Sequence, residues 1–229
     1  MLRFHSWQTM RISRRHFFGG MLATTTVYGG LSSFAGVVKA QGFLPADGAQ
    51  YRRLPNRQTT ASPGKIEVLE FFSYACPHCF ELEPVLEPWV KKLPSDVIFQ
   101  RVPVPFLVSS QNLMKSYYAF EALGLVEHMT PTMFAAMNVE HQLLASPAEV
   151  AALVAKNGGD SAKFLAAMGS FGVASNVLRA KKLLDGYEVD STPTFAIQGL
   201  YETSPAQAGG HSQALAVVDV LIARARAGT

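Results

Sequence analysis

Two cysteines three residues apart are the side chains in this sequence best suited to chemistry. They lie in the run Cys76-Pro77-His78-Cys79, and the 229 residues contain no other cysteine. A pair at this spacing can cycle between dithiol and disulfide by thiol–disulfide exchange. The nearly continuous apolar run Ile66–Phe72 precedes it, which is typical of a strand buried on both faces. The sequence therefore predicts a redox centre directly after a buried strand.

The pattern after this strand predicts a helix that starts at the first cysteine. Pro77 suits the first helical turn, where a missing N–H costs nothing. The unpaired N–H groups and the positive dipole end would then face the Cys76 sulfur and lower its pKa from about 8.5 to roughly 3.5–7.5. We expect Cys76 to be the exposed nucleophile and Cys79 the buried resolving thiol. His78, between them, would add a positive charge or a hydrogen-bond donor.

A structural disulfide and a zinc site are the competing interpretations of the cysteine pair. Closing a four-residue loop removes only about 2 kcal/mol of unfolded-state entropy, which is a weak constraint on a domain this large. Zinc needs four ligands. The other histidines show no paired spacing; they are His5, His16, His128, His141 and His211. The sequence thus favours redox chemistry with no metal and no cofactor.

Residues 1–40 have the features of a cleavable export signal. The pair Arg14-Arg15 precedes a moderately apolar, Gly/Thr-rich segment from Phe17 to Val38, and Val38-Lys39-Ala40 resembles a signal-peptidase site. We predict cleavage after Ala40 and export to the periplasm. The arginine pair resembles a twin-arginine signal, with a general secretory signal as the alternative. Met10 is an alternative to Met1 as the translation start.

Cleavage changes the charge of the protein. The signal holds five of the 20 Lys and Arg residues and none of the 17 Asp and Glu residues. The mature chain, residues 41–229, keeps 15 basic and 17 acidic side chains, a net charge of −2. Nothing in this balance points to nucleic-acid binding.

The rest of the chain predicts an α/β scaffold that a helical segment interrupts. Gln41–Gly64 would add an edge strand, Val97–Val104 would be a second buried strand parallel to the first, and Pro84 and Pro88 would kink or segment the helix between the two strands. A helical insert of about residues 107–187 follows, because this stretch is too long for a crossover helix alone. Its predicted helices are Leu113–Leu123, Glu127–Asn138, Pro147–Lys156, Ala162–Met168 and Asn176–Leu184.

Local signals mark the ends of several elements. Ser146 with Glu149 forms a capping-box pattern, Asp160 suits an N-cap, and Gly186 suits a helix stop. The chain then ends with two predicted strands and an amphipathic helix, which are Thr194–Gln198, Leu200–Thr203 and Ser212–Ala227.

These pieces together resemble the DsbA family of periplasmic thiol:disulfide oxidoreductases, over essentially the whole mature chain. The resemblance is carried by VLEFFSYACPHC, KKLPSDVIFQRVPV, the helical segment, and STPTF before the final hairpin and helix. It implies a thioredoxin-like fold with an inserted all-helical subdomain. It also implies a cis peptide bond before Pro193, beside the cysteines, and a Thr192 backbone free to pair with an extended substrate. Glu70 would match a buried acid beneath the disulfide, with Arg101 as its basic partner; the two would be a proton relay for Cys79 or a structural ion pair.

The implied activity is a dithiol oxidase that donates the Cys76–Cys79 disulfide to reduced exported proteins. A quinone-linked membrane protein of the DsbB type would reoxidise it, and the protein would be a monomer. One residue departs from the usual pattern: oxidases of the family usually have Val before the cis proline, and Thr192 looks more like the disulfide isomerases. A reductase or isomerase therefore remains an alternative, as does a chaperone-like module that binds through the apolar surface near the cysteines.

Overall fold

The computed structural model describes residues 44–228, so the predicted export signal and its cleavage site lie outside the described residues. The strands are β1 (Arg52–Arg53), β2 (Ile66–Phe72), β3 (Val97–Pro103), β4 (Thr194–Ile197) and β5 (Tyr201–Thr203). The helices are α1 (Pro77–Val90), α2 (Ser110–Leu123), α3 (Val126–Asn138), α4 (Pro147–Lys156), α5 (Ser161–Met168), α6 (Phe171–Tyr187), α7 (Pro205–Ala208) and α8 (His211–Ala227).

The five strands form one mixed sheet in the order β1-β5-β4-β2-β3. Strand β2 pairs in parallel with β3 and antiparallel with β4, and all seven of its residues are buried, as its apolar sequence predicts. Strand β3 is less buried than predicted, because it is a terminal strand of the sheet: Gln100 is exposed and its neighbours Phe99 and Arg101 are half-buried. The predicted edge strand near residue 52 is confirmed, and it pairs with β5.

The five predicted helices between β3 and β4 are all present, and the ends of α4 are as predicted. The capping box of Ser146 and Glu149 and the N-cap at Asp160 are confirmed. The predicted stop at Gly186 is wrong. Helix α6 continues to Tyr187, and Glu188 ends it in the left-handed conformation, with φ of 55°.

Pro84 and Pro88 are predicted to kink or segment helix α1, and segmentation is wrong. The helix is one element through Pro84 and Pro88. Leu82 and Leu86 on its inner face are fully buried, so tertiary packing outweighs the cost of the missing N–H groups. Helix α1 therefore extends as one element from the cysteines to Val90.

The sheet has a separate apolar core on each side. One core joins the sheet to the helices of the insert, and the other joins it to α1 and α8. The segment before β2 crosses the β4–β5 turn, where the Gln58 N–H donates to the Gly199 carbonyl at 2.9 Å. Gly199 has φ of +66°, and a Cβ there would collide with the Gln58 carbonyl, so this turn requires glycine. Between residues 44 and 228, no helix is long and apolar enough to cross a membrane.

Candidate active site

The turn between β2 and α1 holds Cys76 at the start of the helix. The chain leaves the sheet at Phe72, and the Cys76 N–H donates to the Ser73 carbonyl at 3.0 Å. The Asn138 side chain, at the end of α3, donates to the Tyr74 carbonyl at 2.9 Å, so the helical insert also fixes this turn. Cys76 is the N-cap residue, with φ of −90° and ψ of 115°. The predicted helix start is thereby confirmed.

The environment of the Cys76 sulfur favours its thiolate. The pKa of Cys76 is lowered to about 6, although burial opposes this shift. The largest contribution is the hydrogen bond from the Cys79 side chain. The Thr192 side chain and the backbone N–H groups of Cys79 and His78 contribute further hydrogen bonds. The Cys79 N–H lies 3.4 Å from Cys76 Sγ. In the neutral form the Cys76 thiol donates to the Thr192 carbonyl, also at 3.4 Å. Of these groups, the Cys79 and His78 backbone N–H groups belong to the helix N-terminus, and the Cys79 and Thr192 side chains act in addition to it.

The second cysteine is in the opposite environment. Cys79 is fully buried, and burial, the neighbouring Cys76 sulfur and the Glu70 carboxylate all raise its pKa far above its usual value. Cys76 is itself only 4% exposed, which corrects the prediction of an openly exposed nucleophile. The reason is the contact with Thr192, whose carbonyl packs against the sulfur. Both cysteines are free thiols here.

The His78 side chain projects into solvent and pairs with a residue that the sequence analysis missed. Its ring is 73% exposed, and Nδ1 lies 3.0 Å from Glu81 Oε2. This hydrogen bond is the main cause that raises the pKa of His78. The i, i+3 spacing on a helix was the available sequence signal for Glu81. His78 also acts on Cys76: its backbone N–H lowers the pKa of Cys76, and the charge of the Cys76 sulfur contributes to the raised pKa of the His78 ring.

The loop beside Cys76 contains the predicted cis peptide bond, between Thr192 and Pro193. Thr192 is half-buried there and supplies both a carbonyl and a side chain to the Cys76 sulfur. The structure thus places Thr192, Pro193 and both cysteines together.

Beneath the cysteines lies a buried cluster of three charged residues. Glu70 and Arg101 face each other on neighbouring strands, and Arg101 Nε donates to Glu70 Oε2 at 2.9 Å. The third member, Glu83, was not predicted from the sequence; it accepts from Arg101 at 2.6 Å. Glu83 lies four residues after Cys79 on α1, and that spacing places both on the same helix face. Sequence spacing could therefore have placed Glu83 on the face of Cys79, but not in contact with Arg101.

The two carboxylates of this cluster hold protons more readily than usual. Burial raises the pKa of Glu70, against the attraction of Arg101, and Glu70 Oε1 has no hydrogen-bond partner among the described residues. Burial also raises the pKa of Glu83, to about 7. Arg101 additionally lies over the Phe72 ring, 5.7 Å from its centroid. Glu70 is therefore a buried acid that interacts electrostatically with both cysteine sulfurs.

A thioredoxin-like sheet with a CxxC pair at a helix N-terminus and a cis proline beside it defines the class of thiol:disulfide oxidoreductases. Comparison with known proteins agrees. The family model described as DSBA-like thioredoxin domain matches residues 94–213, just over half of the chain.

Full-length relatives extend the similarity. The thiol:disulfide interchange proteins DsbA of Burkholderia cepacia and Azotobacter vinelandii are each 38% identical to this chain, over 88% and 93% of it and over 95% and 98% of their own lengths. The crystal structure of Pseudomonas aeruginosa DsbA matches 79% of this chain and 94% of its own, with 37% identity and a TM-score of 0.77. DsbA from Xylella fastidiosa matches 81% of this chain and all of its own, with 28% identity and a TM-score of 0.75. The chain belongs to the DsbA family, and it is a thiol:disulfide oxidoreductase with a helical insertion in a thioredoxin-like fold.

Proposed function

We propose that the protein is a dithiol oxidase, which donates the Cys76–Cys79 disulfide to reduced exported proteins. The observation that carries this proposal is the set of donors around Cys76 Sγ, which lowers the pKa of Cys76 to about 6. Stabilising the thiolate stabilises the reduced form, and a stabilised reduced form makes the disulfide a strong oxidant. The names of the relatives support the same activity.

The reaction proceeds in two exchanges. A substrate thiolate attacks Cys76 Sγ of the disulfide; a mixed disulfide forms, the bond to Cys79 breaks, and Cys79 leaves as a thiolate. The raised pKa of Cys79 means that this sulfur then takes up a proton. A second substrate thiolate attacks the substrate sulfur of the mixed disulfide and releases Cys76. The low pKa of Cys76 makes it the better leaving group, since release is faster for a more acidic thiol. The substrate loses two electrons and the protein gains them.

Glu70 and Arg101 fit the role of a proton relay in this cycle. Glu70 is fully buried, interacts with both sulfurs, and has its proton affinity raised by burial. Glu70 would supply the proton that Cys79 takes up and regain one afterwards, while Arg101 stays charged and holds the carboxylate in place. The structural ion pair is the alternative role for Glu70 and Arg101.

The cellular setting follows from the same proposal. Residues 1–40 would direct export and be removed after Ala40, leaving residues 41–229 as a periplasmic monomer with its helical insert. A quinone-linked membrane protein of the DsbB type would return the reduced cysteines to the disulfide. Thr192 supports the second candidate function, a disulfide isomerase, because Thr in place of the usual Val before the cis proline resembles the isomerases.

Trapping the thiols in cells separates these functions. Rapid acid quenching and alkylation measures the fraction of oxidised protein. An oxidase is found mostly with Cys76 and Cys79 joined, whereas an isomerase or reductase is found mostly as the dithiol. A chaperone-like module would keep its activity in a Cys76→Ser variant, and the oxidase loses it.

A further inference from the structure

A continuous groove runs along helix α1, away from the CPHC turn and opposite helix α3. It consists of two adjoining cavities of about 440 Å³ and about 540 Å³, which share Glu87 and Pro131 as lining residues. Phe80, the residue after Cys79, lines the end nearest the active site together with Phe134. Lys91 lines the far end. The distance along α1 from Phe80 to Lys91 is about 16 Å, since each helical residue rises 1.5 Å. An extended chain of about five residues has that length.

The groove combines apolar walls with an excess of negative charge. Phe80 and Phe134 pack with their ring centroids 6.1 Å apart. Five glutamates and two basic residues line the two cavities: Glu81, Glu83, Glu87, Glu121 and Glu127, against Lys91 and Arg101. Both basic residues already have acidic partners in the protein. The glutamates outnumber the basic residues, so a cationic ligand complements the charge of this groove.

Repulsion between the carboxylates is visible at Glu83. Its pKa is raised to about 7, mainly by burial, with the negative charges of Glu70 and Glu87 adding to the rise and the attraction of Arg101 opposing it. Positive charge brought into the groove would relieve this repulsion. The charge of Glu83 is therefore repelled by its neighbouring carboxylates, and a basic ligand in the groove would reduce this repulsion.

A terminal strand of the sheet also lines the groove. Phe99, Gln100 and Arg101 of β3 line the larger of the two cavities, between α1 and the helices α2 and α3. Strand β3 is the last strand in the sheet order, so one of its edges has no partner strand among residues 44–228. Unpaired N–H and C=O groups on a strand edge can pair with an extended polypeptide.

We propose that this groove binds an extended, basic segment of a substrate protein, at a distance from the substrate cysteine that reacts with Cys76. The inference rests on the proposed oxidase function, because it takes substrate proteins as the ligands. The occupant has Lys or Arg at alternate positions facing the glutamates, since alternate side chains of an extended chain share one side. An apolar residue beside Phe80 and Phe134 completes the match. The groove would select substrates without contributing to the chemistry of the disulfide.

A binding measurement tests the groove directly. The probe is a fluorescent, cysteine-free octapeptide with alternating lysine and leucine, and its counterpart has glutamate in place of lysine. Fluorescence anisotropy gives Kd for the reduced protein and for a variant with Glu87→Gln and Glu127→Gln. We expect about fivefold weaker binding of the basic peptide to the variant, because each exposed charge pair contributes modestly. Asp185→Asn, on α6 and outside the groove, is the matched control and should leave Kd unchanged.

Several outcomes of this measurement would contradict binding of a basic segment in the groove. Equal binding of the basic and acidic peptides would show that charge does not select the ligand. An unchanged Kd in the double variant, or an equal loss in the Asp185→Asn control, would place the basic peptide elsewhere on the protein. Binding that does not weaken between low salt and 0.5 M salt would also contradict it, since exposed charges are screened at high salt.

A second measurement separates failure of the groove from failure of the oxidase function. The oxidised protein is given dithiothreitol, or a two-cysteine peptide with and without a basic segment. The double variant should lower kcat/KM about fivefold for the basic peptide and leave the other two substrates unchanged. Equal rates for both peptides in the native protein would contradict substrate selection by the groove, while the oxidase function would still stand. Failure to oxidise any of the three substrates contradicts the oxidase function itself.

Discussion

The backbone N–H of Cys79 donates to the sulfur of Cys76 across 3.4 Å, so the first turn of helix α1 stabilises charge on the residue that caps it. The same turn buries Cys79 completely. One structural element therefore makes one sulfur acidic and keeps the other protonated.

The first prediction is that a single thiol of the reduced protein titrates near neutral pH. The pKa of Cys76 is about 6, whereas burial keeps Cys79 protonated well above its usual range. Thiolate absorbance near 240 nm, with the oxidised protein as baseline, should rise by one thiolate with a midpoint near 6. In a Cys79→Ala variant the midpoint should move upward, because the largest contribution comes from the Cys79 side chain. A native midpoint near 8.5, the ordinary value, would disprove the assignment.

The second prediction concerns the stability of the reduced protein at different pH values. The pKa of Cys76 is lowered on folding, so its contribution to stability is absent below about pH 6 and grows as the pH rises toward about 8.5, the unfolded value. The pKa of Cys79 is raised, so its contribution is lost as the pH rises above about 8.5. The free energy of unfolding of the reduced form, relative to the oxidised form, should therefore be greatest near pH 8.5.

Paired denaturant titrations of the two redox forms between pH 5 and pH 10 measure this difference. The gain between pH 6 and pH 7 should be on the order of 1 kcal/mol, reduced by any solvent screening of the sulfur. The oxidised form has no titrating thiol and serves as the control. A difference that does not change with pH would rule out a low pKa at Cys76.

The position of the cysteines at a helix start could be predicted from the sequence, but the burial of Cys76 could not. The helix start at Cys76 followed from local rules, since Pro77 and the end of an apolar strand both mark the boundary. The low exposure of Cys76 could not be deduced in this way, because Thr192 covers the sulfur from more than a hundred residues further along the chain. The long path of α1 through its prolines was also missed, since its buried leucines stabilise it through tertiary contacts.

The charged cluster of Glu70, Arg101 and Glu83 could also be predicted only in part, because it depends on tertiary contacts. A carboxylate in an apolar strand indicated that Glu70 needs a partner, and the parallel pairing of β2 with β3 provides Arg101. That Arg101 also binds Glu83 depends on how α1 packs over the sheet, which no local pattern specifies. The exposure of β3 likewise depends on sheet order, because a terminal strand and a central strand can have similar sequences.

The third prediction tests Glu70 as a proton relay. Glu70→Gln keeps the shape and a hydrogen-bond acceptor for Arg101 but cannot exchange a proton. If Glu70 supplies the proton that Cys79 takes up, the variant should form the mixed disulfide more slowly by about tenfold, with a flattened pH profile. Stopped-flow tryptophan fluorescence with a model thiol substrate measures the rate.

The control is Glu83→Gln, which leaves Glu70 paired with Arg101. Denaturant titration of both variants reports any structural role. A Glu70→Gln protein that loses stability but keeps the native rate and pH profile would identify Glu70 and Arg101 as a structural ion pair.

The fourth prediction concerns the side chain of Thr192. It contributes a hydrogen bond that lowers the pKa of Cys76. Thr192→Val removes that donor at nearly constant volume, so the pKa of Cys76 should rise and the protein should become a weaker oxidant. A hydrogen bond of about 1 kcal/mol corresponds to a change of roughly 20 mV in the two-electron potential. Thr192→Ser retains the hydroxyl and should stay close to the native potential. No shift in Thr192→Val, or a shift toward stronger oxidation, would limit position 192 to a backbone role.

The reduction potential of the Cys76–Cys79 pair tests the central claim most directly. It is obtained by equilibrating the protein in glutathione buffers of graded ratio and quantifying the oxidised fraction after alkylation. An oxidase whose reduced form is stabilised at Cys76 should have a potential above about −180 mV, more oxidising than protein disulfide isomerase. A potential near −270 mV, as in thioredoxin, would mean that the pair works as a reductant and would contradict the account.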